Sequence, residues 1–410
     1  MIFACENGRK IPKEDKIFGI NARAKKMIQE KGRENVVNAT IGALLDDDGN
    51  LIVLDSIYKA FKELEPNDFA EYAPINGLDS FREAVKKDAM GFYKPKCKLE
   101  VVATPGGTGA IRNTISNYSN YGDTILIADW FWAPYKTIAQ EIGRDICTFE
   151  FLTEDGRFNA KAFVEKADEI LEKQDRLVVI LNTPAHNPTG YSLTLDDWYA
   201  VKKQFESVPK EKKIALLVDM AYIDFAGDEV EYRKFFPILE EMPENVLPIL
   251  GYSLSKAYTM YGMRCGAMIC MAKDAETAEE FRQVCTYSSR GSWSNCPRAP
   301  QVILSKIYAD PELKKKIDEE RTEYRSMLIR RGKAFEEEAN KVGLRIVPFD
   351  TGFFASIPCD DPDELSAELE KEGIFLVPLA KGIRVSVASV SEKVIKTLPK
   401  KILDAMNRLK

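Results

Sequence analysis

A chain of 410 residues, 45% hydrophobic and 30% charged, is long enough for two domains and apolar enough to bury a sizeable core. A net charge of -6 without any basic block argues against a phosphate backbone as partner, so no nucleic acid is expected. The single histidine, His186, argues against a zinc centre and leaves a Ser-His-Asp hydrolase almost no room; acid–base chemistry then falls to Lys, Asp or Tyr.

The opening stretch MIFACENGRKIPKEDK is polar and has no apolar h-region, so no signal peptide is expected. No apolar run approaches the ~18 residues of a membrane span. The eight cysteines, Cys5 among them, form no C-x-x-C pair and read as reduced thiols of a cytoplasmic protein. On pattern alone the first fifty residues fit either domain.

Further on, residues 101–103 are strand-like, and Gly106-Gly107-Thr108-Gly109 leads from them into a helical pattern. Apolar runs follow at 125–128, 177–181, 214–218, 246–250 and 267–271, with charged helix-period stretches such as 196–206 between several of them. That alternation predicts an α/β domain with a largely parallel sheet. Strands apolar throughout suit a sheet covered on both faces. From about residue 310 the composition changes. Residues 311–343 read as one long charged helix, followed by strand-like LRIVPF and GFFASIP, a helix, then FLVPLA and GIRVSVASV. This mixture predicts a second, smaller α+β domain. No internal repeat or low-complexity tract interrupts the chain.

Three places carry chemistry. Glycines 106, 107 and 109 let backbone N–H groups close on an anion at a helix N-terminus, although an ordinary glycine turn has the same composition. Asp219 ends the run IALLVD at the carboxyl edge of a strand, where open α/β sheets bind ligands. It reads either as a partner for a protonated ring nitrogen or as a helix cap. Lys256 sits in SLSKAYTMYGMR between Ser255 and Ala257, with Ser253 before it and Arg264 eight residues on. A lysine in that setting is poorly explained as a solvated charge.

Taken in order, Gly107-Thr108-Gly109, Trp132, His186-Asn187-Pro188-Thr189-Gly190, Asp219-x-Ala221-Tyr222, Ser253-x-Ser255-Lys256 with Arg264, and Arg384 resemble the fold-type I aminotransferases, closest to the aspartate and aromatic subgroup. Asp15-x-Ile17-Phe18-Gly19, Val37-Asn38-x-x-Ile41-Gly42-Ala43, Tyr72-x-Pro74-x-x-Gly77 and Trp293-Ser294-Asn295-x-Pro297 match as well. The resemblance implies the aspartate-aminotransferase-like fold: a large domain over 52–311 with a mostly parallel seven-stranded sheet, and a small domain over 312–410 joined by residues 1–51.

It also implies pyridoxal 5'-phosphate carried by Lys256 as a Schiff base. Asp219 would keep the pyridine nitrogen protonated, so that the ring is an electron sink. Asn187 and Tyr222 would bond its phenolic oxygen, and Trp132 would stack on its face. Gly107, Thr108, Ser253 and Arg264 would hold the phosphate, and Tyr72 would reach it from a neighbouring subunit, which makes the protein a homodimer with shared sites. Arg384 would bind the substrate α-carboxylate, with Gly42, Trp132 and Asn187 beside the substrate and Ile17 and Phe18 at the entrance. Arg290 would cross the interface to the distal carboxylate, from an SSRGS stretch that reads as a mobile loop.

One position departs from the family pattern. The histidine that often supports the ring-binding aspartate is replaced by Tyr135, which alters the tuning of the ring nitrogen. His186 reads as structural as readily as catalytic.

The activity implied is transfer of an amino group from an L-amino acid, aspartate first, to a 2-oxo acid such as 2-oxoglutarate. An aromatic or dual-specificity transaminase is the alternative, and a β-lyase or aspartate β-decarboxylase would keep Lys256, Asp219 and Arg384 too. A regulator built on the same fold would need a DNA-binding segment, and the basic helix pair is missing.

Overall fold

A computed structural model describes Phe3 and residues 15–410 of the chain; Cys5 and most of the polar opening stretch lie outside the described residues. Strands are numbered along the chain: β1 Val37–Asn38, β2 Lys98–Thr104, β3 Thr124–Ala128, β4 Asp145–Phe149, β5 Arg176–Asn182, β6 Lys213–Asp219, β7 Val246–Ser253, β8 Gly266–Ala272, β9 Phe354–Pro358, β10 Ile374–Phe375, β11 Val377–Leu379 and β12 Gly382–Ser386.

β2 to β8 form a seven-stranded sheet in the order β2-β8-β7-β6-β5-β3-β4. Among the described residues, only β8 in this sheet runs against its neighbours. Strand side chains alternate between the faces. Leu177, Val179, Leu181, Ile214, Leu216 and Val218 accordingly enter one apolar cluster with Phe163, Trp198 and Phe205 of the helices Ala160–Leu171 and Leu195–Ser207. Val178, Ile180, Ala215 and Leu217 enter a second, against Ala110, Ile111 and Ile115 of the helix Gly106–Tyr118 and Phe281 of the helix Ala275–Ser292. Burial on both faces explains why these strands are apolar at every position.

The helix Pro311–Val342 starts on the Asp310 side chain, which accepts from the Glu312 and Leu313 amides, and stops at Gly343 in the left-handed region. Beyond it, β11-β12-β9 form an antiparallel sheet. β10 pairs in parallel with β1, and Ala39, Leu44 and Ile52 share an apolar cluster with Leu328, Phe335, Ile383 and Ile402. The Arg331 guanidinium ties the same parts together, donating to the carbonyls of Leu45 (2.8 Å) and Ala388 (3.1 Å) and to Asp47 (2.7 Å).

Three strand expectations need correction. LRIVPF (344–349) forms no strand; the Val347 amide donates to the Ser356 carbonyl at 2.8 Å, and Pro348 has no N–H to continue a ladder. FLVPLA divides between β10 and β11, which belong to different sheets, and Pro378 sits on the edge strand, where a missing donor is tolerated. GIRVSVASV pairs only to Ser386 and then turns as the 3-10 segment Val387–Ser389. No helix among the described residues is long and apolar enough to cross a membrane.

His186 is buried beneath the sheet's carboxyl edge. Its ring centre is 4.6 Å from that of Phe151, and its Nδ1 lies 2.8 Å from the Thr189 hydroxyl. Burial pushes the imidazole down to about 3, below its unfolded value, against a smaller opposing contribution from the Trp130 backbone. The neutral ring is therefore the form that folding favours. Its stabilisation is full above the unfolded pKa and is lost as pH falls from about 6.5 toward 3, at about 1.4 kcal/mol per pH unit. As the chain has one histidine, a ring-labelled NMR spectrum should show no titration between about pH 5 and pH 8. A midpoint near 6.5 would show the ring to be wet.

Candidate active site

Asn182, Asp219 and Gly251 stand side by side in register at the carboxyl ends of β5, β6 and β7, and Ser253 ends β7. Two adjoining cavities open there. The inner one, of about 150 Å³, is lined by Gly107, Thr108, Tyr135, Asn182, Asp219, Ser253, Ser255 and Arg264. The outer one, of about 840 Å³, is lined by Ile17, Phe18, Ile41, Gly42, Phe354 and Arg384 among others. Trp132, Asn187, Tyr222, Lys256 and Tyr261 line both. Lys256 thus stands at the junction.

The inner cavity ends on an anion-shaped cup. Gly106 takes φ +69°, and a Cβ there would stand 2.8 Å from Arg264 Nη2, so only glycine lets the guanidinium close over the helix start. Arg264 Nη1 donates to the Ser255 hydroxyl (3.1 Å) and the Tyr261 carbonyl (3.0 Å). The Ser253 hydroxyl accepts from the Ser255 amide at 3.3 Å.

Asp219 closes the cavity's floor. Its Oδ2 accepts from the Tyr135 hydroxyl at 2.5 Å and its Oδ1 from the Ala221 amide at 3.2 Å. Burial raises its pKa, while Tyr135, the Ala221 amide and Lys256 pull it back. No regular helix starts on this side chain, so it serves as no helix cap. Tyr135 also stands edge-on to Trp132, with ring centres 5.6 Å apart, so one side chain braces both the carboxylate and the aromatic wall.

Lys256 Nζ donates to the Gly42 carbonyl at 3.0 Å. Burial, helped by the cations of Arg264 and Arg384 and opposed by Asp219, lowers it to about 8. Gly42 is required sterically, since a Cβ would meet Phe354 Cζ at 2.6 Å. The Tyr222 hydroxyl accepts from Asn187 Nδ2 at 3.3 Å.

Arg384 lies in β12, buried and 4.2 Å over the Phe354 ring. It donates to Asn187 Oδ1 (3.1 Å) and to the Thr40 carbonyl (2.8 Å), while its Nε is buried without a partner among the described residues. Burial lowers it to about 10, with Tyr222 opposing, so it stays a cation at neutral pH. A buried guanidinium that meets no carboxylate suits an anionic ligand.

Two sequence candidates stand apart from both cavities. Tyr72 is 88% exposed. Arg290 is exposed and donates to the Ser294 hydroxyl at 2.6 Å; the SSRGS stretch is no loop but lies in the last turn of Ala275–Ser292. The serines fit a helix here because Ser289 is buried and accepts from Asn113 Nδ2 at 3.1 Å. Sequence reading missed Tyr261, Phe354 and Asn182. Tyr261 falls five residues after Lys256 and was within reach of the motif; Phe354 has no local signal, since only the packing of β9 brings it to Arg384.

The description "Aminotransferase class I and II" fits residues 34–402. The crystal structure of an aminotransferase from Anaerococcus prevotii superposes with a TM-score of 0.95 and 39% identity over 100% of both chains. A mitochondrial aspartate aminotransferase of Schizosaccharomyces pombe is 30% identical over 311 residues, 73% of this chain and 67% of that protein. An aromatic-amino-acid aminotransferase of Pseudomonas aeruginosa is 28% identical over 290 residues, 69% of this chain and 70% of that one. With sequence, fold and the ordered motifs agreeing over nearly the whole length, the chain belongs to the class I and II aminotransferases, in the aspartate and aromatic subgroup of the fold-type I enzymes.

Proposed function

We propose that this aminotransferase works with pyridoxal 5'-phosphate held at Lys256 and moves an amino group from aspartate to a 2-oxo acid such as 2-oxoglutarate. The observation that carries this reading is a half-buried lysine, lowered to about 8 by the loss of water around it, at the junction of a cavity ending on Asp219 and one ending on Arg384. The residues present fit the cofactor. Gly107, Thr108, Ser253 and Arg264 would take its phosphate, Asp219 its ring nitrogen, Asn187 and Tyr222 its phenolic oxygen, and Trp132 its face.

When bound, the cofactor supplies an electron sink for the pair left behind at the substrate Cα. The protein's own groups do the rest. Asp219, whose carboxylate accepts from the Tyr135 hydroxyl and the Ala221 amide, holds a proton on its ligand, and Tyr135 fixes its direction without adding charge. Arg384 orients the substrate by its α-carboxylate. Lys256, near half neutral at a pH close to 8, is the amine that takes the Cα proton and returns it.

Arg290 and Tyr72 serve a site only across an interface, so we propose a two-fold homodimer in which each reaches its partner's cavity. Arg290 then selects the distal carboxylate, and Ile17 and Phe18 line the entrance. Residues 52–311 form the large domain, and 312–410 with 1–51 the small one; the β1–β10 pairing and the shared apolar cluster support that division. The seven described cysteines are free thiols, which supports the cytoplasm as compartment. The outer cavity's size and its apolar Ile17, Phe18 and Ile41 favour one second reading, an enzyme that also accepts aromatic side chains.

Borohydride reduction of the cofactor-loaded protein should fix the label on Lys256, and Lys256→Ala should lose both the visible band and turnover; a label on another lysine would reject the assignment. Asp219→Ala should slow Cα deprotonation by about 10²–10⁴-fold in single turnovers, and a near-normal rate would assign the ring nitrogen to another group. Arg290→Leu should cut kcat/KM for aspartate by at least ~10²-fold while phenylalanine turnover holds or rises. Equal losses on both substrates would remove Arg290 from the distal-carboxylate role, and assaying side products in the same panel separates transfer from lyase or decarboxylase chemistry.

A further inference from the structure

Beneath the site lies a buried polar cluster that neither cavity touches. Asp88, in the helix Asp79–Met90, accepts at Oδ2 from the hydroxyls of Tyr252 and Tyr258, each at 2.6 Å. Its Oδ1 accepts from Tyr308 at 2.7 Å and faces Arg321 Nη1 at 3.4 Å. Tyr252 stands also 2.9 Å from Asp224 Oδ2, and Asp224 Oδ1 pairs with Arg233 at 2.9 Å and with Arg321. Two carboxylates thus meet two guanidiniums with no net charge. Burial raises the Asp88 pKa, but Arg321 and the three tyrosine hydroxyls more than offset it and hold the group below the ordinary carboxylate range.

The cluster's position in the chain is what gives it a role. Tyr252 immediately precedes Ser253, and Tyr258 lies two residues after Lys256, so one carboxylate oxygen holds both ends of the segment that carries the lysine. Asp224 lies two residues after Tyr222. Arg321 comes from the helix Pro311–Val342, and Arg325 of the same helix donates to the Asp224 carbonyl at 3.1 Å. Buried ion clusters seldom add stability over a well-packed apolar core, whereas their directional bonds fix geometry. A hydroxyl bond on each side of a four-residue helical turn, Leu254–Ala257, constrains where Lys256 Nζ can stand.

We propose that Tyr258 and Tyr252, gathered by Asp88, are positioning residues for Lys256, setting the placement of its amine between Gly42 and Asp219. This rests on the reading of Lys256 as the reacting amine. The test compares Tyr258→Phe with Tyr308→Phe. Each deletes one hydroxyl bond to Asp88, but Tyr308 belongs to the helix Ala299–Ala309, away from the lysine segment.

Competitive acetic-anhydride labelling across pH, read by peptide mass spectrometry on cofactor-free protein, follows the Lys256 midpoint without any turnover. Tyr258→Phe should shift that midpoint upward by roughly half a unit as the lysine gains water, and should lower kcat about tenfold with KM within about twofold. Tyr308→Phe should lower the Tm comparably yet leave the midpoint and kcat as in the wild type. Tyr252→Phe gives a second reading on the opposite end of the segment, with the same expected shift as Tyr258→Phe. Indistinguishable midpoints and kcat values for Tyr258→Phe and Tyr308→Phe would overturn the proposal. A wild-type protein that takes up no lysine-bound cofactor would instead overturn the functional reading, while the labelling profile would still decide the positioning role.

Discussion

Taking a charged group out of water is expensive, and within one crevice this structure buries Asp219 and Arg384 and half-buries Lys256 between them. Everything else in the fold can be read as compensation for that. Asp219 is tolerated because Tyr135 and the Ala221 amide satisfy its oxygens. Arg384 is tolerated because Asn187 and the Thr40 carbonyl take two of its hydrogens and Phe354 covers its face. Lys256 gains the Gly42 carbonyl and sheds part of its affinity for a proton. The Arg384 Nε stays buried without a partner among the described residues.

The backbone carries as much of this as the side chains. Gly42 and Gly106 sit where a Cβ would strike Phe354 or the Arg264 guanidinium, so the site closes to its observed width only with glycine at both. Thr40, Gly42 and Leu44 come from the N-terminal segment, yet they reach Arg384 in one distant part of the chain and Lys256 and Tyr261 in another. The β1–β10 pair and Arg331 hold that segment in place from the far side. Tyr135 fits the same economy of charge, since a phenol directs the Asp219 carboxylate while staying neutral.

Much of this was legible in the sequence because it is local. Apolar runs at 177–181 and 214–218 announce buried parallel strands, and IALLVD places a carboxylate at a strand's end whatever the rest of the chain does. The order of glycine, aspartate, lysine and arginine motifs was enough to indicate the family and much of the crevice's lining, though not Asn182, Tyr261 or Phe354, and it included Tyr72 and Arg290, which stand outside both cavities. What the tertiary structure alone decided is what meets across long separations. Phe354 under Arg384, Tyr261 beneath Leu44, and the convergence of Tyr252, Tyr258 and Tyr308 on Asp88 have no periodicity to betray them. LRIVPF has a strand's composition but no ladder, and SSRGS has a loop's composition but continues a helix, because pairing and packing partners, not local propensity, settle such short segments.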